Sequence, residues 1–266
     1  MAKKRRSLAS EAAETRAVQV PPAHFENHAP TEILAVLRDG PLLLEGLLPW
    51  SSNYTFLALA GDAPLQFLAV YKPCRGERPL WDFPNGTLCR REYAAYVVSQ
   101  ALRWNLVPPT ILRDGPHGLG SVQLFIDCDQ EQHYFTLRGT HEEEFRRMAV
   151  FDALLNNTDR KGGHCLVDRD DKIWAIDHGV TFHTDPKLRT VIWDFAGQRI
   201  PSEWVSDLTR FRAEMKNPGT AIARELEQLL ASDEIDALLG RLGELIESGS
   251  YPEQNSDWYT VPWPPV

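Results

Sequence analysis

FDALLNNTDRKGGHCLVDRDDKIWAIDHGVTFH, residues 151–183, passes from a helical pattern through a polar loop into a short hairpin. The helix spans about 142–156, where Phe145, Met148, Ala149 and Leu155 recur on one face. Asn156, Asn157, Thr158, Asp159 and Arg160 then form the polar loop, and Gly162 and Gly163 permit tight backbone geometry there. The hairpin pairs 164–167 with 172–176 around Asp168-Arg169-Asp170-Asp171. It delivers Asp177 at the end of the apolar run Ile173-Trp174-Ala175-Ile176. A hairpin of this length brings Asp159 and Asp177 close together. Two such carboxylates suit phosphoryl transfer, one orienting the nucleophile's proton and the other holding a metal on the phosphates. Singly, each aspartate is ordinary turn chemistry; the pair on one frame favours the functional reading. Asp152 falls where helical spacing predicts an apolar residue. It is therefore expected to hydrogen-bond the loop, because an unpaired buried carboxylate is costly.

Such chemistry also asks for a cation on the α/β-phosphates and an acid to position it. Lys72 ends the apolar run Phe67-Leu68-Ala69-Val70-Tyr71, where a strand either carries it into a cleft or lets it snorkel to water. Glu92 lies early on a helix expected over 88–104, with Ala94, Val97, Val98 and Ala101 as its apolar stripe. It suits pairing with Lys72, and equally a solvated acid favoured by the helix dipole. The order lysine, helix glutamate, loop aspartate, strand-end aspartate carries more than any member of it.

Around these residues the chain divides. Thr31 is the expected cap of a helix through Leu37, stopped by Gly40-Pro41. Strand-like runs at 42–48, 54–60 and 64–72, separated by turns at 49–53 and 61–62, predict an antiparallel meander. Residues 73–86 are irregular, and strands at 110–112 and 121–126 flank the turn HGLG (117–120). Helical patterns return at 203–216, 220–231 and 232–247. The expected organisation is a flexible basic tail (1–29), a β-rich lobe with one long helix (30–125) and a mainly helical lobe (126–250). A Pro/Trp-rich tail (251–266) is expected to pack as irregular chain. The fold class is α+β.

At 266 residues, with 43% hydrophobic residues, the chain has enough material for two lobes. Its net charge of −9 argues against nucleic acid and anionic membranes as broad partners. No apolar run approaches the roughly 20 residues of a membrane span, and no hydrophobic signal core follows MAKKRRSLAS. Cys74, Cys89, Cys128 and Cys165 form no CxxC pair and are expected to be reduced thiols of a cytoplasmic protein. No HExxH-type spacing points to a metal-dependent hydrolase.

The segments VYKP (70–73), REYAAYVVSQAL and NLVPPT (within 91–110), FDALLNNTDR (151–160) and AIDHGVTF (175–182) carry a family resemblance. Over roughly residues 45–245 the chain resembles the phosphatidylinositol 3-/4-kinase-like superfamily, closest to the type II phosphatidylinositol 4-kinase branch and its bacterial relatives. The resemblance implies a two-lobed atypical kinase fold that uses ATP with Mg²⁺ or Mn²⁺. It implies Lys72 as the phosphate-gripping lysine, Glu92 as its helix partner, Asp159 with Arg160 as the catalytic loop, and Asp177 as the metal-binding aspartate of a DHG element. Ser51, Ser52 and Asn53 resemble the phosphate-covering turn, and Gln123 to Ile126, through Phe125, resemble the adenine hinge. As plain structure, the first is a hairpin turn and the second an edge strand.

Where the family usually carries a second metal-binding Asn, this chain has His164. An imidazole suits Mn²⁺ or Zn²⁺ better than Mg²⁺, so His164 stands as a metal ligand, a phosphate-positioning group, a mark of lost activity or a structural histidine. The cysteine-rich segment of the type II lipid kinases is missing, which favours a small-molecule or protein acceptor over a lipid. The segment 178–201, with Lys187, Arg189, Trp193 and Arg199, would face the acceptor. Its basic residues either steer an anion or form a solvated face. Three functions stay open on this set: an active kinase, a nucleotide-binding pseudokinase, and a nucleotidyl (AMP) transferase.

Overall fold

Apolar runs bounded by turn residues build the strands of the first part of the chain. A computed structural model describes residues 23–48, 53–254 and 259–266. After a helix at Pro30–Asp39 (α1) come strands Leu42–Leu47 (β1), Phe56–Asp62 (β2) and Leu65–Pro73 (β3). Phe67, Ala69, Tyr71 and Pro73 of β3 are buried, and the intervening residues, Lys72 among them, are half-exposed. Helix Leu88–Ala101 (α2) follows, then strands Thr110–Gly115 (β4) and Gly118–Leu124 (β5). The five strands form one antiparallel sheet in the order β1-β2-β3-β5-β4.

Contacts divide the chain into two units. The first holds the residues up to Cys89 together with Pro109–Phe125, and the second holds Arg90–Pro108 and Ile126–Val266. Helix α2 from Arg90 onward therefore groups with the second unit, whereas the sequence pattern placed it in the first.

Within the first unit, α1 buries Ile33 and Leu37. The helix begins with Pro30 in its first turn, and the residue before it is Ala29; Thr31 is not the cap. Arg113 of β4 donates to the carbonyls of Leu37 and Gly40 at 3.0 and 2.7 Å, satisfying the helix C-terminus. In β5, Gly120 pairs with Pro73 and Ser121 with Lys72. A Cβ on Gly120 would lie 2.6 Å from the Lys72 carbonyl oxygen, so only glycine allows this approach to the end of β3. The turn between β4 and β5 is tighter than expected. β5 starts at Gly118, whose φ of +89° closes it.

Residues 23–29 are not tail. Phe25–Asn27 form a 3₁₀ turn, the Ala23 N–H donates to Gln66 O at 2.7 Å, and the His28 ring packs edge-on against Phe67. Two contacts with a neighbouring strand order a segment that has no apolar periodicity of its own. The rest of the expected tail, and Pro49 to Ser52, lie outside the described residues.

The cysteine expectation is overturned at two positions. Cys74 and Cys89 are joined by a disulfide, while Cys128 and Cys165 are free.

In the second unit, α2 is buried nearly all round and stops at Ala101. Arg103 and Asn105 adopt positive φ there, and Ser99 Oγ accepts the Leu106 and Val107 amides. A short helix, Tyr134–Leu137 (α3), had no sequence pattern to reveal it. Helix Glu142–Leu155 (α4), the hairpin Cys165–Val167 (β6) with Ile173–Ala175 (β7), and helices Ser202–Met215 (α5), Ala221–Leu229 (α6) and Ser232–Ser248 (α7) complete the unit. Helix α7 packs on α4, α5 and α6. No helix among the described residues is long and apolar enough to cross a membrane.

Candidate active site

The end of α4 sets the site. Asn156 leaves the helix at φ +53°, ψ +53°, a conformation asparagine tolerates better than most residues. Its side chain fixes the segment beyond Asp177: Nδ2 donates to His183 O and Asp185 O at 3.0 and 2.6 Å, and Oδ1 accepts the Lys187 amide at 2.8 Å. Asn157 turns the other way. Its Nδ2 donates to Asp152 Oδ1 at 2.9 Å, and its Oδ1 accepts the Asp159 amide at 3.0 Å. The chain 157–160 then lies alongside 189–191. The Arg189 N–H donates to Asn157 O, Arg160 N–H to Arg189 O and Val191 N–H to Arg160 O. The asparagine pair thus presents Asp159 on a loop whose backbone N–H groups have partners.

Asp152 and Arg160, both fully buried, fasten this loop to α4. Arg160 Nε donates to Asp152 Oδ2 at 2.9 Å and Nη2 to Oδ1 at 3.0 Å. Nη1 donates to Ile176 O and His164 O at 2.7 and 3.2 Å. Nη2 also meets His178 Nε2 at 2.7 Å; a guanidinium only donates, so Nε2 accepts and the ring proton sits on Nδ1. Burial pushes the guanidinium's pKa down, but the charge and hydrogen bonds of Asp152, with smaller contributions from Cys165 and Asp177, leave it raised overall. The hydrogen bond expected of Asp152 is present. Arg160, read as a catalytic-loop residue, is fully buried behind the loop, with its guanidinium turned to Asp152, His178 and the carbonyls of His164 and Ile176.

Four polar side chains gather in front of the loop. Lys161 Nζ lies 3.2 Å from Asp159 Oδ2, and His164 Nε2 lies 3.2 Å from Asp177 Oδ2. His164 Nδ1 accepts the Lys161 amide at 3.4 Å, so its Nε2–H faces Asp177. Asp177 sits at φ +61°, a left-handed conformation that costs a non-glycine residue about 1 kcal/mol or more and tends to mark functional positions. Burial pushes the Asp159 carboxyl up, the Lys161 ammonium pulls it back, and the Asp177 carboxylate pushes it up again; the net pKa is above that of an ordinary aspartate. Lys161 had no sequence signal beyond its place beside Asp159.

Glu92 is not a solvated acid. It is 3% exposed, and its carboxylate accepts the His178 amide at 2.9 Å, which ties α2 to the residue after Asp177. The adjacent Arg91, also buried, donates to Thr181 O at 2.7 Å and pairs with Glu234 of α7.

The remaining candidates are distributed as follows. Lys72 lies on β3 of the first unit, half-exposed and in register with Ser121. Ser51 and Ser52 lie outside the described residues; Asn53 Oδ1 accepts the Arg78 amide at 2.8 Å. Gln123 turns its amide to Thr110 Oγ1 at 2.9 Å, and Phe125 N–H donates to Leu68 O at 3.0 Å. These groups of the expected hinge are thus held inside the sheet, while Ile126 is buried at the start of the second unit.

The segment 178–201 is irregular but fastened at several points, and Arg199 within it is exposed. Arg189 Nε donates to Tyr259 O, Trp193 Nε1 to Thr260 O, and Arg199 Nη1 to Ser248 O. The C-terminal residues also reach the loop itself, where Gly162 N–H donates to Pro265 O at 2.7 Å.

Comparison with known proteins bears on the family and the fold. The family model for phosphatidylinositol 3- and 4-kinase matches residues 112–219, which include Asp159, His164 and Asp177. Protein Rv2133c of Mycobacterium tuberculosis is 37% identical over 265 aligned positions, covering 86% of this chain and 94% of that protein. Phosphatidylinositol 4-kinase gamma 4 of Oryza sativa subsp. japonica is 32% identical over 108 residues, 34% of this chain and 19% of the rice protein. The Helicobacter pylori proinflammatory kinase CtkA has a similar fold, with a TM-score of 0.50 over 80% of this chain and 95% of that one, at 15% identity. With its hairpin-borne aspartates, its five-stranded antiparallel sheet and these relatives, the chain belongs to the phosphatidylinositol 3-/4-kinase-like superfamily.

Proposed function

We propose that the protein is an ATP-dependent phosphotransferase that moves the γ-phosphoryl group to a hydroxyl acceptor. The observation that supports this most is the cluster Asp159, Lys161, His164 and Asp177, with Asp177 held at a positive φ. Strain at a carboxylate beside an imidazole suits a ligand position better than a turn. Asp177 Oδ2 suits a divalent cation, and His164 Nε2, which carries the ring proton against it at 3.2 Å, would join as a ligand once that proton shifts to Nδ1 and the 3.4 Å bond from the Lys161 amide is given up. Asp177 and His164 would hold that cation, which when bound supplies charge neutralisation on the phosphate oxygens.

Asp159 then orients the acceptor hydroxyl and takes its proton, a role helped by a carboxyl pKa above the ordinary range. Lys161 holds the Asp159 carboxylate in place. Lys72 and Glu92 keep the roles that the family resemblance implies, as do Ser51, Ser52 and Asn53 and, past the end of β5, the backbone at Ile126 for nucleotide. Arg160 keeps the loop in position from behind. A net charge of −9 favours a small-molecule or protein acceptor over an anionic lipid surface.

The test is product analysis by ³¹P NMR, with ATP, Mg²⁺ or Mn²⁺ and a panel of hydroxyl acceptors. ADP and a phosphoester, both lost in Asp159→Asn, are the expected products. AMP esters with pyrophosphate would assign nucleotidyl transfer instead. Nucleotide binding without any product would assign a pseudokinase.

A further inference from the structure

Strand β3 runs into a 3₁₀ turn, Cys74–Gly76, after which the Glu77 N–H donates to Cys74 O at 3.2 Å. Side chains three residues apart eclipse on such a turn, so the spacing from Cys74 to Glu77 puts a sulfur and a carboxylate on one side. Neighbouring chain fixes the turn: the Tyr54 N–H donates to Gly76 O at 3.1 Å, and the Arg78 N–H to Asn53 Oδ1 at 2.8 Å. The chain then returns to the turn at the start of α2, with the Cys89 Cα 5.8 Å from that of Cys74. There the Cys89 N–H donates to Glu77 Oε1 at 2.8 Å.

Cys74 Sγ, Cys89 Sγ and a carboxylate oxygen of Glu77 all lie within 4.8 Å of one another. The bond from the Cys89 N–H alone would be a helix cap, and the disulfide alone a staple. Neither asks for a carboxylate beside both sulfurs; a divalent cation does. Cys89 is buried in the first turn of α2, where backbone N–H groups and the helix dipole favour a negatively charged sulfur. Its N–H holds the carboxylate as an outer partner orients a metal ligand. A cavity of about 100 Å³ opens beside the three donors and is lined also by Arg78, Phe83 and Leu88. It has room for water at a fourth coordination position, and Arg78 offsets the excess negative charge of two thiolates and a carboxylate on one dication.

We infer that Cys74, Glu77 and Cys89 form a Zn²⁺ site that fills when the disulfide is reduced. In the reduction, a dithiol's thiolate attacks one sulfur and breaks the S–S bond, and the dithiol's second thiol then displaces the sulfur it had joined. Two electrons and two protons pass to the protein, giving two cysteine thiols, and the dithiol ends as a cyclic disulfide. Zn²⁺ then takes both sulfurs as thiolates together with a Glu77 oxygen, and the two thiol protons leave to water. Two thiolates favour zinc over Mg²⁺, so the site differs in chemistry from a cation site at Asp177 and does not depend on the phosphotransferase reading. The end of β3 and the start of α2 are then joined by a sulfur bridge in one redox state and by a metal in the other.

The test uses the full chain, reduced with a phosphine, which offers no competing thiol, and titrated with Co²⁺ and then Zn²⁺. Expected in the reduced protein is a thiolate-to-cobalt charge-transfer band that one equivalent of Zn²⁺ per chain abolishes. X-ray absorption of the zinc form should show two sulfur neighbours at about 2.3 Å. The band should be absent from the oxidised protein, kept in Cys128→Ser and Asp177→Ala, and lost in Cys74→Ser and Cys89→Ser. Glu77→Gln should weaken the metal by about tenfold. The X-ray measurement needs only the wild type, so a variant that does not fold leaves the test intact. Reduced protein that takes up no metal, or zinc held by nitrogen and oxygen alone, would overturn the site. So would a band that persists at full strength in either cysteine variant, an unchanged affinity in Glu77→Gln, or a disulfide that the phosphine does not reduce in the folded protein.

Discussion

Replacing Arg160 with alanine strands the carboxylate of Asp152. Both side chains are fully buried, so solvent does not screen their interaction. The arginine makes contacts at 2.9 and 3.0 Å to Asp152, 2.7 Å to Ile176 O, 3.2 Å to His164 O and 2.7 Å to His178 Nε2. After its removal, Asp152 keeps one side-chain donor, Asn157 Nδ2 at 2.9 Å. Breaking a buried ion pair from one side costs about 3–5 kcal/mol, most of it for the charge left behind. The three orphaned acceptors would each add about 1–3 kcal/mol if they stayed dry. The void of a lost arginine admits water, so the expected total stays near 4 kcal/mol. Urea unfolding followed by tryptophan fluorescence measures the loss as a shift in midpoint at constant slope. Arg160→Met with Asp152→Asn should be much milder than the two single changes added together, because neither charge is then left alone. A loss under about 1 kcal/mol in Arg160→Ala, or strict additivity in the double variant, would refute the positioning role.

The front of the site gives further expectations. Asp159, with a raised carboxyl, should give turnover an acid limb at higher pH than an ordinary aspartate would. In the other direction, its contribution to stability is present below the ordinary pKa of about 3.9 and lost as pH rises through the folded value, so Asp159→Asn should remove that segment of the stability profile. His164→Asn replaces an imidazole by an oxygen donor, and the ratio of Mn²⁺- to Mg²⁺-supported ATP binding should fall by about tenfold; an unchanged ratio would make His164 structural. Deleting residues 259–266 removes the acceptors at Thr260 and Pro265, and the amides of Gly162 and Thr190 should lose hydrogen-exchange protection; unchanged protection would show that the tail does not brace the loop.

Much of the fold is legible because it rests on short-range periodicity. The alternation Phe67, Ala69, Tyr71 marks β3, and the spacing of Phe145, Met148 and Ala149 marks α4. The loop and hairpin placing Asp159 and Asp177 are equally local. What the sequence conceals depends on partners distant along the chain. An arginine after a loop aspartate looks exposed, and its burial is signalled only indirectly, by Asp152 at an apolar helix position. Cys74 and Cys89 bond because folding brings their Cα atoms to 5.8 Å, which no spacing motif announces. Residues 23–29 have no apolar period, yet a backbone bond to Gln66 and a ring contact with Phe67 order them. Glu92 looks like a surface acid by position; its burial follows from the His178 amide, 86 residues away.

The nucleotide site is tested most directly by calorimetric titration of ATP into the oxidised protein with Mg²⁺ and then Mn²⁺, alongside Lys72→Ala and Asp177→Ala shown to be folded by circular dichroism. Metal-dependent binding in the wild type that is lost in both variants is the predicted result. No binding with either metal, or binding that survives both substitutions, would contradict it.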